Sequence, residues 1–139
     1  MRKIDLAYLA GILDGEGCVH IAKEKRKQSF VYKLRVQVSM VDKVPPMLAH
    51  NTFGGYLRLR DRNAKWKPLW EWQVKSNNAV TCLKVLLPYL RTKRVEAELA
   101  LKFWSEKNHV AIRKTKEVAA LEEANYTLMK SLKNKVSLR

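Results

Sequence analysis

Two carboxylates and three glycines close an apolar helical run. Asp14 and Glu16 alternate with Gly15 and Gly17, and Gly11 lies one turn earlier. The C-terminal end of a helix carries about half a negative charge, so acids there are disfavoured by a few tenths to about 1 kcal/mol each. Such an end calls for a positive partner. Carboxylate oxygens are hard ligands and favour Mg²⁺ or a similar ion, which keeps waters and accepts phosphate oxygens as further ligands. Paired ions of this kind stabilise the attacking and leaving oxygens of a phosphodiester displacement, so metal-dependent hydrolysis is the chemistry implied. The complementary anomaly is at Arg91, Lys93 and Arg94, which crowd the start of a predicted helix. Positive charge is again at the disfavoured end, and an anion such as a phosphate would suit it.

The acids are carried by a helix that Asp5 is expected to cap and that runs to about Asp14. Ala7, Gly11 and Gly15 fall four apart on one face, and Leu6, Leu9 and Leu13 fall on another. Two copies packed through the small-residue face would bring both Glu16 side chains together. At about 4 Å two unit charges repel by roughly 4 kcal/mol at a surface-like dielectric, which again requires a bound cation.

From Val19 the period changes to two. Val19 and Ile21 alternate with His20 and Ala22, and after a polar turn near Arg26 to Ser29 a longer strand sets Leu34, Val36, Val38 and Met40 against Lys33, Arg35, Gln37 and Ser39. A short helix opens at Asp42 and Pro45 and ends before Gly54. Tyr56 to Arg62 then alternates Leu57 and Leu59 with Arg58, Arg60 and Arg62, and Leu69 to Lys75 is a fourth strand. Asn77 opens a helix toward Leu90, Thr92 caps another through about Trp104, and Glu117 to Leu132 is a last amphipathic helix with Leu121, Leu128 and Leu132 facing inward. The expected class is α+β, in the order αββαββαα, with helices covering the apolar face of a four-stranded antiparallel sheet. The other face is left open, the shape that a saddle binding double-stranded DNA would need. Its candidate contacts are Lys33, Arg35, Gln37, Arg58, Arg60, Arg62 and Lys75, with His20 and Ser39 nearer the centre. Arg and Lys suit guanine edges and Gln suits adenine. The plainer reading of that face is a solvated charged surface. Trp66, Trp70, Trp72 and Trp104 are read as packing residues rather than base stackers.

The nonapeptide Leu9 to Gly17 resembles the signature of the LAGLIDADG homing endonucleases position for position, with Ile12-Leu13 for the Leu-Ile pair, Gly15 for Ala and Glu16 for the second Asp. A single copy implies the homodimeric branch of that family, with residues 1–139 as one domain. The resemblance implies that Glu16 binds Mg²⁺, with Mn²⁺ or Ca²⁺ able to take the same ligands. It also implies that the Gly15 carbonyl assists and that Asp14 has a structural place in an interface with Ala7, Gly11 and Gly15. Asp42 falls where the family carries an acid or amide near the metal water, and capping of the next helix is its equal alternative. Lys93 aligns with the basic residue that stabilises transition-state charge, the alternative being a surface lysine. Where one branch has an arginine a turn later, this chain has Pro46. Two-fold symmetry predicts a pseudo-palindromic target of about 20 base pairs. The resemblance adds cuts across the minor groove with short 3′ extensions, and an origin in a mobile intron or intein-like element of an organelle or prokaryote.

Composition agrees and narrows the field. The 139 residues carry 28 Lys and Arg against 13 acids, a net charge of +15 spread over the chain, so the partner is a polyanion. Cys18 and Cys82 make neither a disulfide scaffold nor a four-ligand zinc site, and a reducing, intracellular setting follows. Arg2-Lys3 and the apolar run from Leu6 imitate a signal peptide, but Asp5 interrupts it and the Asp14 to Gly17 stretch is a poor cleavage region. No run is long enough to span a membrane. His20, His50 and His109 are isolated, and Gly54-Gly55 lacks the lysine of a phosphate loop. The competing readings are an intron maturase that binds intron RNA or a non-cleaving DNA-binding regulator of the same fold. A basic RNA-binding protein explains the charge but not the acids at the helix end.

Overall fold

The computed structural model describes residues 2–107 and 115–137. Helix α1 spans Lys3–Glu16 and buries Leu9, Ala10 and Leu13. Asp5 is not its cap. Arg2 holds that position, and Asp5 sits in the first turn, where its carboxylate accepts from Arg2 Nε at 3.3 Å. The chain then enters β1 (Gly17–Arg26) with no loop. Gly17 is needed there, because a Cβ would lie 2.9 Å from both the Leu13 Cα and its carbonyl oxygen.

The hairpin of β1 and β2 (Ser29–Met40) turns at residues 27–28, as the period-two pattern predicts. Helix α2 (Val44–Phe53) begins with Pro45 and Pro46 in its first turn, where a missing N–H is tolerated. It ends at Gly54, whose φ of +73° is open to glycine without strain. The Gly54 carbonyl accepts from the Trp72 indole at 2.9 Å, tying this turn to the core. Strands β3 (Tyr56–Arg60) and β4 (Leu69–Lys75) follow. Next come α3 (Ser76–Leu86), a 3₁₀ turn (Leu87–Tyr89), α4 (Arg94–Glu106) and α5 (Lys116–Ser137). The α+β class holds. Three helices follow β4, as the segments from Asn77, Thr92 and Glu117 predict, so the described residues contain five α-helices and the string αββαββαα is one helix short.

The sheet order is β1-β2-β4-β3, antiparallel throughout. Val19, Ile21, Leu34, Val36, Val38, Trp72 and Val74 form one buried core with Leu9 and Leu13 of α1, Leu83 of α3 and Phe103 of α4. Of the tryptophans, Trp72 is core, Trp70 and Trp104 are half-buried, and Trp66 stands out at 60% exposure. The inward face of α5 differs from the expected one. Leu132 packs against the core as expected, but Leu121 and Leu128 are exposed, whereas Glu122, Asn125 and Met129 are buried. Buried Glu122 accepts from Lys107 Nζ at 2.9 Å, and Asn125 donates to Glu106 at 2.8 Å. These polar pairs rotate the helix away from the face that leucine spacing selects. His109 lies outside the described residues. Among the described residues no helix is long and apolar enough to cross a membrane.

Candidate functional site

The end of α1 meets the head of α4, and Asp14 makes the joint. Its carboxylate accepts the backbone N–H of Arg91 and of Lys93, both at 2.9 Å, and its carbonyl accepts Lys93 Nζ at 2.7 Å. The anion expected beside Arg91, Lys93 and Arg94 is therefore Asp14, supplied by the protein itself, and Thr92 is not the cap. Lys93, in turn, supplies the cation that the acidic helix end calls for. Replacing Asp14 with Ala removes a charge-assisted cap and leaves two N–H groups without their partner, so a loss of about 2 kcal/mol is expected in urea unfolding. Asp14→Asn should lose less.

Gly15 and Glu16 continue past this joint into solvent. A Cβ placed on Gly11 or Gly15 meets nothing within 4 Å, and Ile4 and Tyr8 on the same side are 70% and 44% exposed. This face of α1 is thus unpartnered within the protomer. Glu16 precedes Gly17, which pairs with Val38, so it sits at the level of Ser39. Asp42 lies beyond the end of β2, where its Oδ1 accepts the Val44 N–H at 2.9 Å. Lys43 holds the N-cap position of α2, and Asp42 satisfies the first N–H of the helix from one residue earlier.

Strand pairing gathers the candidate contacts on one face. His20, Arg35 and Lys75 share a row, Gln37 lies beside Gln73 and Cys18, and Ser39 lies beside Glu71 and Arg58. Lys33 and Arg60 continue the same face. Arg62 is the exception, since β3 ends at Arg60. Its guanidinium donates to the Lys67 carbonyl at 2.6 and 2.8 Å and stacks over Trp66, so it braces the loop. The face is less uniformly basic than alternation suggests. Glu71 is 6% exposed and lies 3.4 Å from Arg60 and 3.7 Å from Arg58, while Glu24 lies 3.3 Å from Lys33. Gly55, Tyr56, Arg58, Glu71, Gln73 and Lys75 border a groove of about 520 Å³. Tyr56, Glu71 and Gln73 escaped the sequence reading, although the period of two in β4 already placed Glu71 and Gln73 on this face.

His20 sits at the β1 end of the row. Its Nδ1 is 3.4 Å from Cys18 Sγ. Burial, with the positive charges of Lys133 and Arg35, pushes its pKa down from 6.5 to about 4. Between these values the unfolded chain holds a proton that the folded chain refuses, so stability rises with pH from about 4 to 6.5 and is level above. His20→Gln should flatten this part of a melting-temperature profile measured from pH 4 to 7.5.

A smaller cleft of about 190 Å³ opens at the β1 edge, bordered by Gly17, Cys18, Val19, Thr92, Lys93, Glu96 and Lys133. No group of three or more His, Cys, Asp and Glu side chains that could hold a metal ion occurs among the described residues. One protomer offers the Glu16 carboxylate at a helix end whose carbonyls are negative. Those hard oxygens suit Mg²⁺.

No protein-family model matches the sequence, and no curated protein does. Solved structures match along the whole chain. The homing endonuclease I-CvuI, in complex with the I-CreI target, gives a TM-score of 0.66 at 22% identity, over 98% of this chain and 82% of that one. The archaeal intron-encoded homing endonuclease I-Vdi141I, complexed with DNA, gives 0.66 at 10% identity over 99% of both chains. The LAGLIDADG homing endonuclease I-GzeII, in complex with its DNA target, gives 0.63 at 19% identity, over 90% of this chain but 43% of that one. The chain has the fold of the LAGLIDADG homing endonucleases.

Proposed function

We propose that this chain is a single-motif LAGLIDADG homing endonuclease, acting as a homodimer that cuts both strands of a long DNA site. One observation carries the reading. The acidic end of α1 adjoins a face of small residues that nothing covers, and it stands at the edge of a strand face lined by Arg35, Arg58, Arg60 and Lys75. Packing α1 on its copy buries Ala7, Gly11 and Gly15 and places two Glu16 carboxylates side by side. With the Gly15 carbonyls they would hold the divalent ions. An ion bound there supplies charge neutralisation to the phosphodiester under attack.

The protein's own groups do the rest. Lys93, fixed by Asp14, holds a positive charge next to the cleavage site and stabilises the charge that develops on phosphate oxygens. Asp42 fixes the end of β2. Side chains two apart on a strand are separated by about 6.7 Å, close to two base-pair rises, so the strand face can follow a major groove. His20, Lys33, Arg35, Gln37, Ser39, Arg58, Arg60 and Lys75 are the readers, and Arg62 acts through its loop. The domain is residues 1–139, and an organelle or prokaryotic mobile element is the origin this reading implies.

A randomised duplex library incubated with the protein tests the proposal. Double-strand cuts are expected with Mg²⁺ and none with EDTA. Tight binding without cuts under both conditions would make the chain a regulator, and preference for folded intron RNA would make it a maturase.

A further inference from the structure

Residues 61–68 join Arg60 of β3 to Leu69 of β4, and every one of them is exposed. The loop is closed by its own polar groups. Besides the two bonds from Arg62 to the Lys67 carbonyl, the Lys65 N–H donates to Asn63 Oδ1 at 3.0 Å and the Trp66 N–H to the Asn63 carbonyl at 3.1 Å. Trp66 is the largest side chain it carries, and the Arg62 guanidinium lies 5.7 Å from the ring centroid. The sequence pattern reads this residue as packing, yet the ring stays in water while Trp72 fills the core. Braced in this way, loop and ring lose little freedom when they meet a partner.

The charges indicate which partner. Arg62, Lys65 and Lys67 stand against Asp61 alone, which leaves the loop at +2. A flat apolar ring set among cations is the complement of a sugar set among phosphates. Register gives the place. Arg58 pairs with Glu71 and Arg60 with Leu69, so the loop prolongs the hairpin past the last arginine of the strand face. Strand β3 is one edge of the sheet and β1, which follows Glu16, is the other. The loop therefore stands across the width of the sheet from the acidic helix end, outside the rows of candidate base contacts.

We propose that this loop is a clamp on the DNA backbone beyond the strand face, in which the Trp66 ring packs on a deoxyribose and Lys65 and Lys67 meet the phosphates on either side of it. The inference rests on the proposed DNA-binding function. Backbone contacts of this kind carry no base information and fix how the duplex lies on the strands. Arg62 is a positioning residue that holds the loop and the ring.

The test uses the full-length protein, a duplex recovered from the library as bound by the wild type, and a duplex of unrelated sequence. Trp66→Ala should weaken binding of both duplexes about tenfold, the lower end of what an aromatic contact with nucleic acid contributes. Cleavage at saturating protein should keep its rate. Trp66→Phe should retain most of the affinity, and Lys65→Gln with Lys67→Gln should lower the slope of log affinity against log salt by about two. In the wild type, bound duplex should protect the exposed tryptophan from acrylamide quenching, and that protection should vanish in Trp66→Phe. Three results would overturn the inference: wild-type affinity in Trp66→Ala, a loss confined to the recovered duplex, or equal quenching with and without duplex. A wild type that binds no duplex would instead overturn the nuclease reading, and the inference with it.

Discussion

Glu16→Gln is expected to abolish strand cleavage while duplex binding persists. The substitution keeps shape and hydrogen-bonding capacity and removes one negative charge per protomer. In the proposed dimer that takes two charges from the place where divalent ions would sit. Transition-state stabilisation from such ions amounts to several kcal/mol, and about 4 kcal/mol corresponds to roughly a thousandfold in rate. Glu16 is exposed and lies outside the core, so the folded state should be unaffected. Affinity for the duplex should hold or rise slightly, since a negative charge facing phosphate is lost. Single-turnover cleavage with saturating protein reads the first effect, and fluorescence anisotropy in EDTA reads the second. Cleavage by the variant within tenfold of wild type would remove Glu16 from the chemistry.

Gly11→Leu should separate the copies and strengthen the protomer. A Cβ at Gly11 has open space around it, so the side chain projects into solvent in a single copy. Replacing a mid-helix glycine with leucine gains up to about 1 kcal/mol of helix propensity. Against a second α1 the same side chain prevents close approach of the two backbones. Overpacking costs of about 1 to 3 kcal/mol arise at each of the two symmetry-related positions, so dimer dissociation should rise by at least about 30-fold. The expected outcome is a raised melting temperature, a monomer by light scattering at micromolar concentration, and no double-strand cleavage. Few substitutions stabilise a fold and remove its activity together, which makes the pair of readouts diagnostic. A dimer that still cuts would place the interface elsewhere.

Local pattern made the strands and turns legible. The alternation of Leu34, Val36 and Val38 with Arg35 and Gln37 fixed a face, and Gly54 marked a turn that its positive φ requires. Long-range pairing was not legible. Nothing near Arg91 indicates that its anion comes from Asp14, 77 residues earlier. The same applies to α5, where Glu122 is buried because Lys107 meets it. Leucine spacing was right for Leu132 but not for Leu121 and Leu128. On the basic strands, alternation set the side of each arginine but not its neighbours, and only register reveals Glu71 beneath Arg58 and Arg60. The site shows the same division. The acid, its glycines and Lys93 belong to a contiguous motif or a charge run, whereas Lys133 reaches its cleft only through the packing of α5.

Arg58 and Arg60 have one counterion between them. Altering Glu71 therefore frees both at once, and altering either arginine changes how the other is held. If these side chains read neighbouring bases, as proposed, their preferences should be inherited as a block. Retargeting the protein one position at a time would show strong epistasis here, and libraries that vary 58, 60 and 71 together should find solutions that stepwise selection misses.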